Sequence, residues 1–226
     1  MTDLADRLAS VDAAIADAAR EAGRDAAELT RIVVTKFHPA SLVRELAELG
    51  VRDVGENRHQ EAVVKAGELA DLDLRWHFVG QLQRNKARAV RAYASSVHSL
   101  DRAELADALD RAGEGAAPLD VFLELNLTDD PGRGGVAPAE VERLAAHVLT
   151  LPSLALRGVM AVAPLETEPR VAFARVRAAS DRVRSIAPHA SEISAGMSGD
   201  FREAILAGAT HLRIGTAITG KRSTAG

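Results

Sequence analysis

Leu4, Leu8, Val11, Ile15 and Ala22 recur on one face at helical period, so the chain is expected to open with a long amphipathic helix ending at Gly23. Eight short apolar segments follow, at 31–36, 53–57, 76–80, 96–100, 120–126, 156–162, 192–197 and 211–216. Helical stripes lie between them: Leu42, Val43, Leu46 and Leu49 closed by Gly50; Leu105, Leu109 and Ala112 closed by Gly113; and Val141, Leu144 and Val148. Pro39, Pro138 and Pro169 stand where first helical turns should begin, and Asp101 with Glu104 reads as an N-cap with its N3 partner. Continuous apolar runs belong to strands buried on both faces. Eight of them alternating with helices predict a single (β/α)8 TIM-type barrel over 1–226, with an extra N-terminal helix filling the gap between the eighth and first strands. An open doubly wound sheet is the alternative.

Composition narrows the chemistry more than the fold. The 226 residues are 47% hydrophobic and 27% charged, ordinary values for a globular chain. A net charge of −4 supplies no basic field for nucleic acid or an anionic membrane. Without cysteine there is no thiolate nucleophile and no Cys-based zinc site, which suits the cytoplasm. The longest later apolar run, 158–165, is far below the ~20 residues of a membrane span, so a soluble, untargeted protein is expected.

In this barrel type the site forms at the carboxyl ends of the strands. Lys36 ends the first, where an ammonium is costly to desolvate unless its pKa falls or it reacts, and an amine of lowered pKa forms Schiff bases. Only four lysines accompany twenty-four arginines; Lys65 and Lys86 fall on helices and Lys221 in the tail, leaving Lys36 as the carbonyl-reactive candidate. The alternative is a structural lysine at the rim or paired with Glu56. Gly196-Met197-Ser198-Gly199 and Gly215-Thr216 place small residues and backbone donors in adjacent loops, which suits a phosphate; alternatively Ser198 only caps the helix after it. Arg213, between Leu212 and Ile214, needs an acceptor: a cofactor heteroatom, a phosphate, or Glu124 in an ion pair. His77 reads as a hydrogen-bonded interior histidine, Arg84, Arg88 and Arg91 as a solvated face, and 132–135 as a mobile loop. No histidine spacing suggests a metal.

At Val-Val-Thr-Lys36, Val-Gly-Glu-Asn57, Trp76-His-Phe-Val-Gly-Gln81 followed by Asn85-Lys86, Leu156-Arg-Gly-Val-Met160, Gly196-Met-Ser198 and Leu212-Arg-Ile-Gly-Thr216, the chain resembles the pyridoxal phosphate homeostasis protein family. These are stand-alone relatives of the alanine racemase N-terminal barrel domain, and the resemblance runs nearly end to end. Thr35, Phe37 and Gly199 depart from the common pattern without removing a cofactor contact. The resemblance implies pyridoxal 5′-phosphate (PLP) held as a Schiff base on Lys36, with Asn57 beside it, Arg213 facing the pyridine nitrogen, and Ser198, Gly215 and Thr216 on the phosphate; Ser194 is a further implied contact. It also implies a monomeric, cytoplasmic carrier that keeps PLP available to apo-enzymes and does little or no catalysis. The alternatives are a PLP-dependent amino-acid racemase or a Schiff-base lyase. Racemisation needs a base on each face of the substrate, and the one tyrosine, Tyr93, is expected on a helix away from the strand ends.

Overall fold

The computed structural model describes residues 3–130 and 132–220. Eight parallel strands close in chain order into a barrel: β1 Thr30–Val34, β2 Asp53–Glu56, β3 Arg75–Phe78, β4 Ala94–Leu100, β5 Leu119–Leu125, β6 Leu154–Ala161, β7 Glu192–Ser194 and β8 His211–Ile214. The expected barrel therefore forms and the open sheet does not. Around it run α1 Asp3–Glu21, α2 Ala40–Glu48, α3 His59–Glu68, α4 Ala87–Arg91, α5 Ala103–Arg111, α6 Val141–Val148, α7 Pro169–Ile186, α8 Phe201–Leu206 and the single turn α9 Thr216–Thr219. Lys221 and the tail after it lie outside the described residues.

The N-terminal helix takes the expected place. Leu4, Leu8, Val11 and Ile15 are buried, α1 packs on α8 and α9, and Arg31 of β1 pairs with Asp12 at 2.8 Å. Gly23 ends the helix at φ 67°, a left-handed conformation open to glycine at little cost.

Alternate strand residues serve two different interiors. Val33, Val54, Phe78, Val97, Val121, Leu123, Val159, Ile193, Leu212 and Ile214 join the helices in one apolar cluster, each fully buried aliphatic contributing roughly 1.5–3 kcal/mol. The opposite parity faces the barrel bore, where Phe122 meets His98, and His98 meets Ser194. This bore is polar at its centre, a feature the continuous apolar runs did not suggest.

Several local expectations are corrected. The strands stop before Lys36, Asn57 and Met197, since those residues turn into the carboxyl-end loops. Arg102, not Asp101, is the N-cap of α5, and Asp101 pairs instead with the Arg102 guanidinium. Arg84 and Arg88 are exposed as expected, but Arg91 is half-buried and donates to the carbonyls of Ser153 at 2.9 Å and Ala117 at 2.8 Å. Beside the segment 132–135, the Asn126 amide donates to the carbonyls of Asp130 and Arg133, both at 2.9 Å.

Candidate functional site

Register brings the predicted residues to one end of the barrel. Val34 pairs with Gly55, so continuing the two chains sets Lys36 beside Asn57; Val33 pairs with Ile214, which sets Gly215 against Val34. On the far side of β8, Arg213 N–H donates to Gly196 O at 2.9 Å, and Ala217 N–H reaches Ser198 Oγ at 3.4 Å. Lys36, Asn57, Ser198, Gly215 and Thr216 thus stand at the carboxyl ends of four neighbouring strands, β7, β8, β1 and β2.

Lys36 is presented by a clamp on the residue before it. Thr35 is fully buried: its N–H donates to Gly55 O at 2.9 Å, its hydroxyl to Glu56 Oε1 at 2.7 Å, and its carbonyl accepts from Lys65 Nζ at 2.8 Å. After it, Phe37 takes φ 66°, donates its N–H to Glu61 Oε2 at 2.9 Å, and carries the Arg58 guanidinium 4.9 Å from its ring centroid. The backbone is held on both sides while the Lys36 side chain is exposed. That exposure corrects the argument from desolvation. Pairing with Glu56 also fails as an explanation of Lys36, because Glu56 Oε1 is taken by Lys65 Nζ at 2.6 Å. This buried pair was missed in the sequence, where Lys65 looked like an ordinary helical lysine. Burial, opposed by the Lys65 and Thr35 hydrogen bonds, raises the Glu56 carboxyl above its ordinary range, and its Oε2 has no partner among the described residues.

Asn57 is half-buried and lines a cavity of about 270 Å³ with Phe78, Gln81 and Lys86. Its backbone is pressed by Gly80, where an added Cβ would sit 2.1 Å from Asn57 O. Ser198 does not cap α8. That place is held by Asp200, whose Oδ1 accepts from Met197 N–H at 2.6 Å, leaving the Ser198 hydroxyl turned toward α9. Gly196, at φ 93°, lets the loop lie on α8: a Cβ there would stand 2.9 Å from Phe201 Cα.

Arg213 is buried at 5% exposure. Nη1 donates to Ser194 Oγ at 2.6 Å and Nη2 to Ala161 O at 2.8 Å, so two of its five N–H donors are held and no ion pair to Glu124 forms among the described residues. Burial lowers its pKa to about 10, which leaves it charged at neutral pH. Glu124 has a buried Oε2 with no partner among the described residues, and desolvation, then the Asp101 charge, pushes it up to about 7. Ser194, wholly buried, belongs to the bore below the mouth and joins Arg213 to His98. His77 is the interior histidine expected, bonded to Asp53 and Ser96. Tyr93 lies in the turn after α4 rather than on a helix, and its ring stacks on His59, two residues past Asn57.

The geometry fits a phosphorylated carbonyl compound bound end-on: an exposed amine at β1, hydroxyls and tight loops at β7 and β8, and a buried guanidinium with spare donors between them. Comparison with known proteins follows the same line. The model of the alanine racemase N-terminal domain matches residues 11–223. The chain is 41% identical over 238 residues to the pyridoxal phosphate homeostasis protein of Mycobacterium leprae, covering 97% of this chain and 93% of the relative. With the protein of that name from Pseudomonas aeruginosa it shares 42% identity over 227 residues, covering 98% and 97%. Among solved structures it is similar to PipY of Synechococcus elongatus PCC7942 with PLP bound, at TM-score 0.84 and 36% identity, covering 96% of this chain and all of that one.

Proposed function

We propose, from the premise that this chain belongs to the alanine racemase N-terminal domain family and within it to the pyridoxal phosphate homeostasis proteins, that it carries PLP in the cytoplasm and keeps it available to apo-enzymes. The observation that carries the reading is the placement of Lys36: an exposed amine on a clamped backbone, flanked by Asn57 on one side and the Gly215-Thr216 loop on the other.

PLP, when bound, supplies an aldehyde that couples to amines and a ring that can accept electron density. Lys36 is its Schiff-base residue in this reading. The Ser198 and Thr216 hydroxyls bind the phosphate, Asn57 borders the ring, and Gly215 leaves room for the close approach. Arg213 meets the ring nitrogen. A guanidinium still charged at neutral pH can only donate there and cannot hand the nitrogen a proton readily, so the electron sink stays weak. Ser194 takes its place as the residue that orients Arg213. Tyr93 is poorly suited to act as a second base for racemisation: burial, then the Glu56 charge, raises its phenol, which stays protonated against His59. Carriage without turnover follows.

The test is spectroscopic and chemical. The purified protein should be yellow, and borohydride should fix a pyridoxyl group on Lys36. Cofactor-loaded protein should exchange the α-deuteron of alanine far below the ordinary enzymic range of ~1–10³ per second. Label on Lys65, Lys86 or Lys221, or none at all, defeats the site; exchange in that range, abolished by Lys36→Ala, defeats the carrier reading.

A further inference from the structure

A continuous line of polar side chains crosses the barrel from its amino end to Arg213. At the bottom, Asp53 of β2 accepts from Arg75 through Oδ2 at 2.5 Å and bonds His77 Nε2 through Oδ1 at 2.8 Å. His77 Nδ1 lies 2.7 Å from Ser96 Oγ, and Ser96 Oγ lies 2.9 Å from His98 Nε2. His98 Nδ1 reaches Ser194 Oγ at 2.8 Å, and Ser194 receives Arg213 Nη1 at 2.6 Å. His77, Ser96, His98 and Ser194 are all buried, at 7%, 3%, 0% and 0% exposure. Unsatisfied polar groups at such depth cost about 1–3 kcal/mol each, so a bond direction that serves every member is strongly favoured.

The two ends determine that direction. A guanidinium can only donate, so Ser194 Oγ accepts from Arg213 and its own proton is free for His98 Nδ1. His98 then carries its hydrogen on Nε2 and donates to Ser96, and Ser96 donates to His77 Nδ1. His77 carries its hydrogen on Nε2 and donates to Asp53, a carboxylate that can only accept. In this arrangement every donor of the chain has an acceptor, and His98 Nε2–H has two, Ser96 Oγ and His77 Nδ1, the latter at 3.1 Å. Protonating His77 on Nδ1 would reverse the inner links, and the Ser194 hydroxyl would lose its acceptor among the described residues. Deep burial also disfavours a charged His98, in line with its lowered pKa. Stacking on Phe122, with centroids 4.3 Å apart and 19° between planes, keeps the His98 ring from turning.

We propose that Asp53, His77, Ser96, His98 and Ser194 form one directed hydrogen-bond chain that positions Arg213 as a fixed donor toward the cofactor's ring nitrogen. The part concerning the cofactor rests on the carrier reading above; the chain itself does not. The five are positioning residues in this proposal, since each acts on Arg213 through the next. Each member fixes the next, so Ser194 Oγ is held as an acceptor toward Arg213.

The cofactor-free protein, labelled with ¹⁵N in histidine and arginine, tests the chain first. NMR at neutral pH should show His77 and His98 both neutral with hydrogen on Nε2, and separate, slowly exchanging Nη signals for Arg213. Nδ1–H at His98, or an imidazolium at either ring, overturns the proposal. Ser194→Ala and His98→Leu should merge the Arg213 signals, weaken PLP binding about tenfold, and make the near-visible band of the loaded protein titrate where that of wild type does not. His98→Asn, which returns an acceptor facing Ser194, should bring the band behaviour back. Ser194→Ala is the smaller change and serves if His98→Leu does not fold. Variants that keep both the Arg213 signals and the band of wild type mean that Arg213 is held without the chain, and the proposal fails. A wild-type protein that binds no PLP but shows the stated tautomers and Arg213 signals defeats the carrier reading and leaves the chain standing.

Discussion

Two hydroxyls at the barrel mouth illustrate how much depends on single atoms. Ser198 Oγ already accepts the Ala217 N–H at a long 3.4 Å, a geometry that a phosphate oxygen would improve on, and Thr216 begins α9 with its side chain exposed. Hydrogen bonds to a charged partner are worth roughly 1.5–3 kcal/mol, or about ten- to a hundredfold in affinity. Ser198→Ala and Thr216→Val should each weaken PLP retention by about that factor in equilibrium dialysis while the urea midpoint stays put. Two variants that hold PLP as tightly as wild type place the phosphate elsewhere. Lys36 was legible as the lone lysine at a strand end, although the physical argument for it changes. Exposure on a rigid backbone, rather than an apolar pocket, is what the structure offers that amine.

The connection from β2 to α3 shows an element used as a brace. Glu56 ends the strand, Lys65 sits two turns along the helix, and their 2.6 Å contact is completed by Thr35 from β1. Both charges are nearly inaccessible, so removing one leaves the other buried and unpaired, which typically costs 3–5 kcal/mol. Lys65→Met should therefore lower unfolding free energy by about that amount, and Lys65→Met with Glu56→Leu should recover most of it. Urea titration of the single and double variants checks this. A single variant as stable as wild type would show that the pair does not brace the loop before Lys36. From sequence, Lys65 gave no signal of burial, because its position on the helix face depends on a glutamate from a neighbouring strand.

Across the whole molecule, buried titrating groups pull in opposite directions. His211 is pushed down to about 4 chiefly by burial, while Glu124 is pushed up to about 7 by burial, with Asp101 next. A histidine depressed in the fold is protonated first in the unfolded chain, so its contribution is lost as pH falls from about 6.5 toward 4. Glu124 has the opposite sign: protonated first in the fold, it favours the fold below its ordinary 4.5, and that contribution is lost as pH rises through 7. Each spans up to about 3 kcal/mol at 1.36 kcal/mol per unit. Glu124→Gln should thus stabilise the cofactor-free protein at pH 8 and add little at pH 4.5. Urea unfolding at both values reads it, and an equal effect at both would remove Glu124 as the titrating group.

Repeating apolar stripes, glycine stops and prolines at helix starts are local, and they determined the order of elements, the closed barrel and the identity of Lys36, Asn57, Ser198, Arg213, Gly215 and Thr216 as mouth residues. Adjacency of strands in sequence order made this possible, since each neighbour in a parallel barrel is also the next strand along the chain. Only the tertiary structure decided what fills the bore. Ser194 and His98 are 96 residues apart, and Asp53 and His77 are 24, so no local period records their pairing. A polar residue inside a strand reads as a defect until its partner across the barrel is known. Burial makes each such group seek a specific acceptor, and closure of the barrel brings that acceptor within reach.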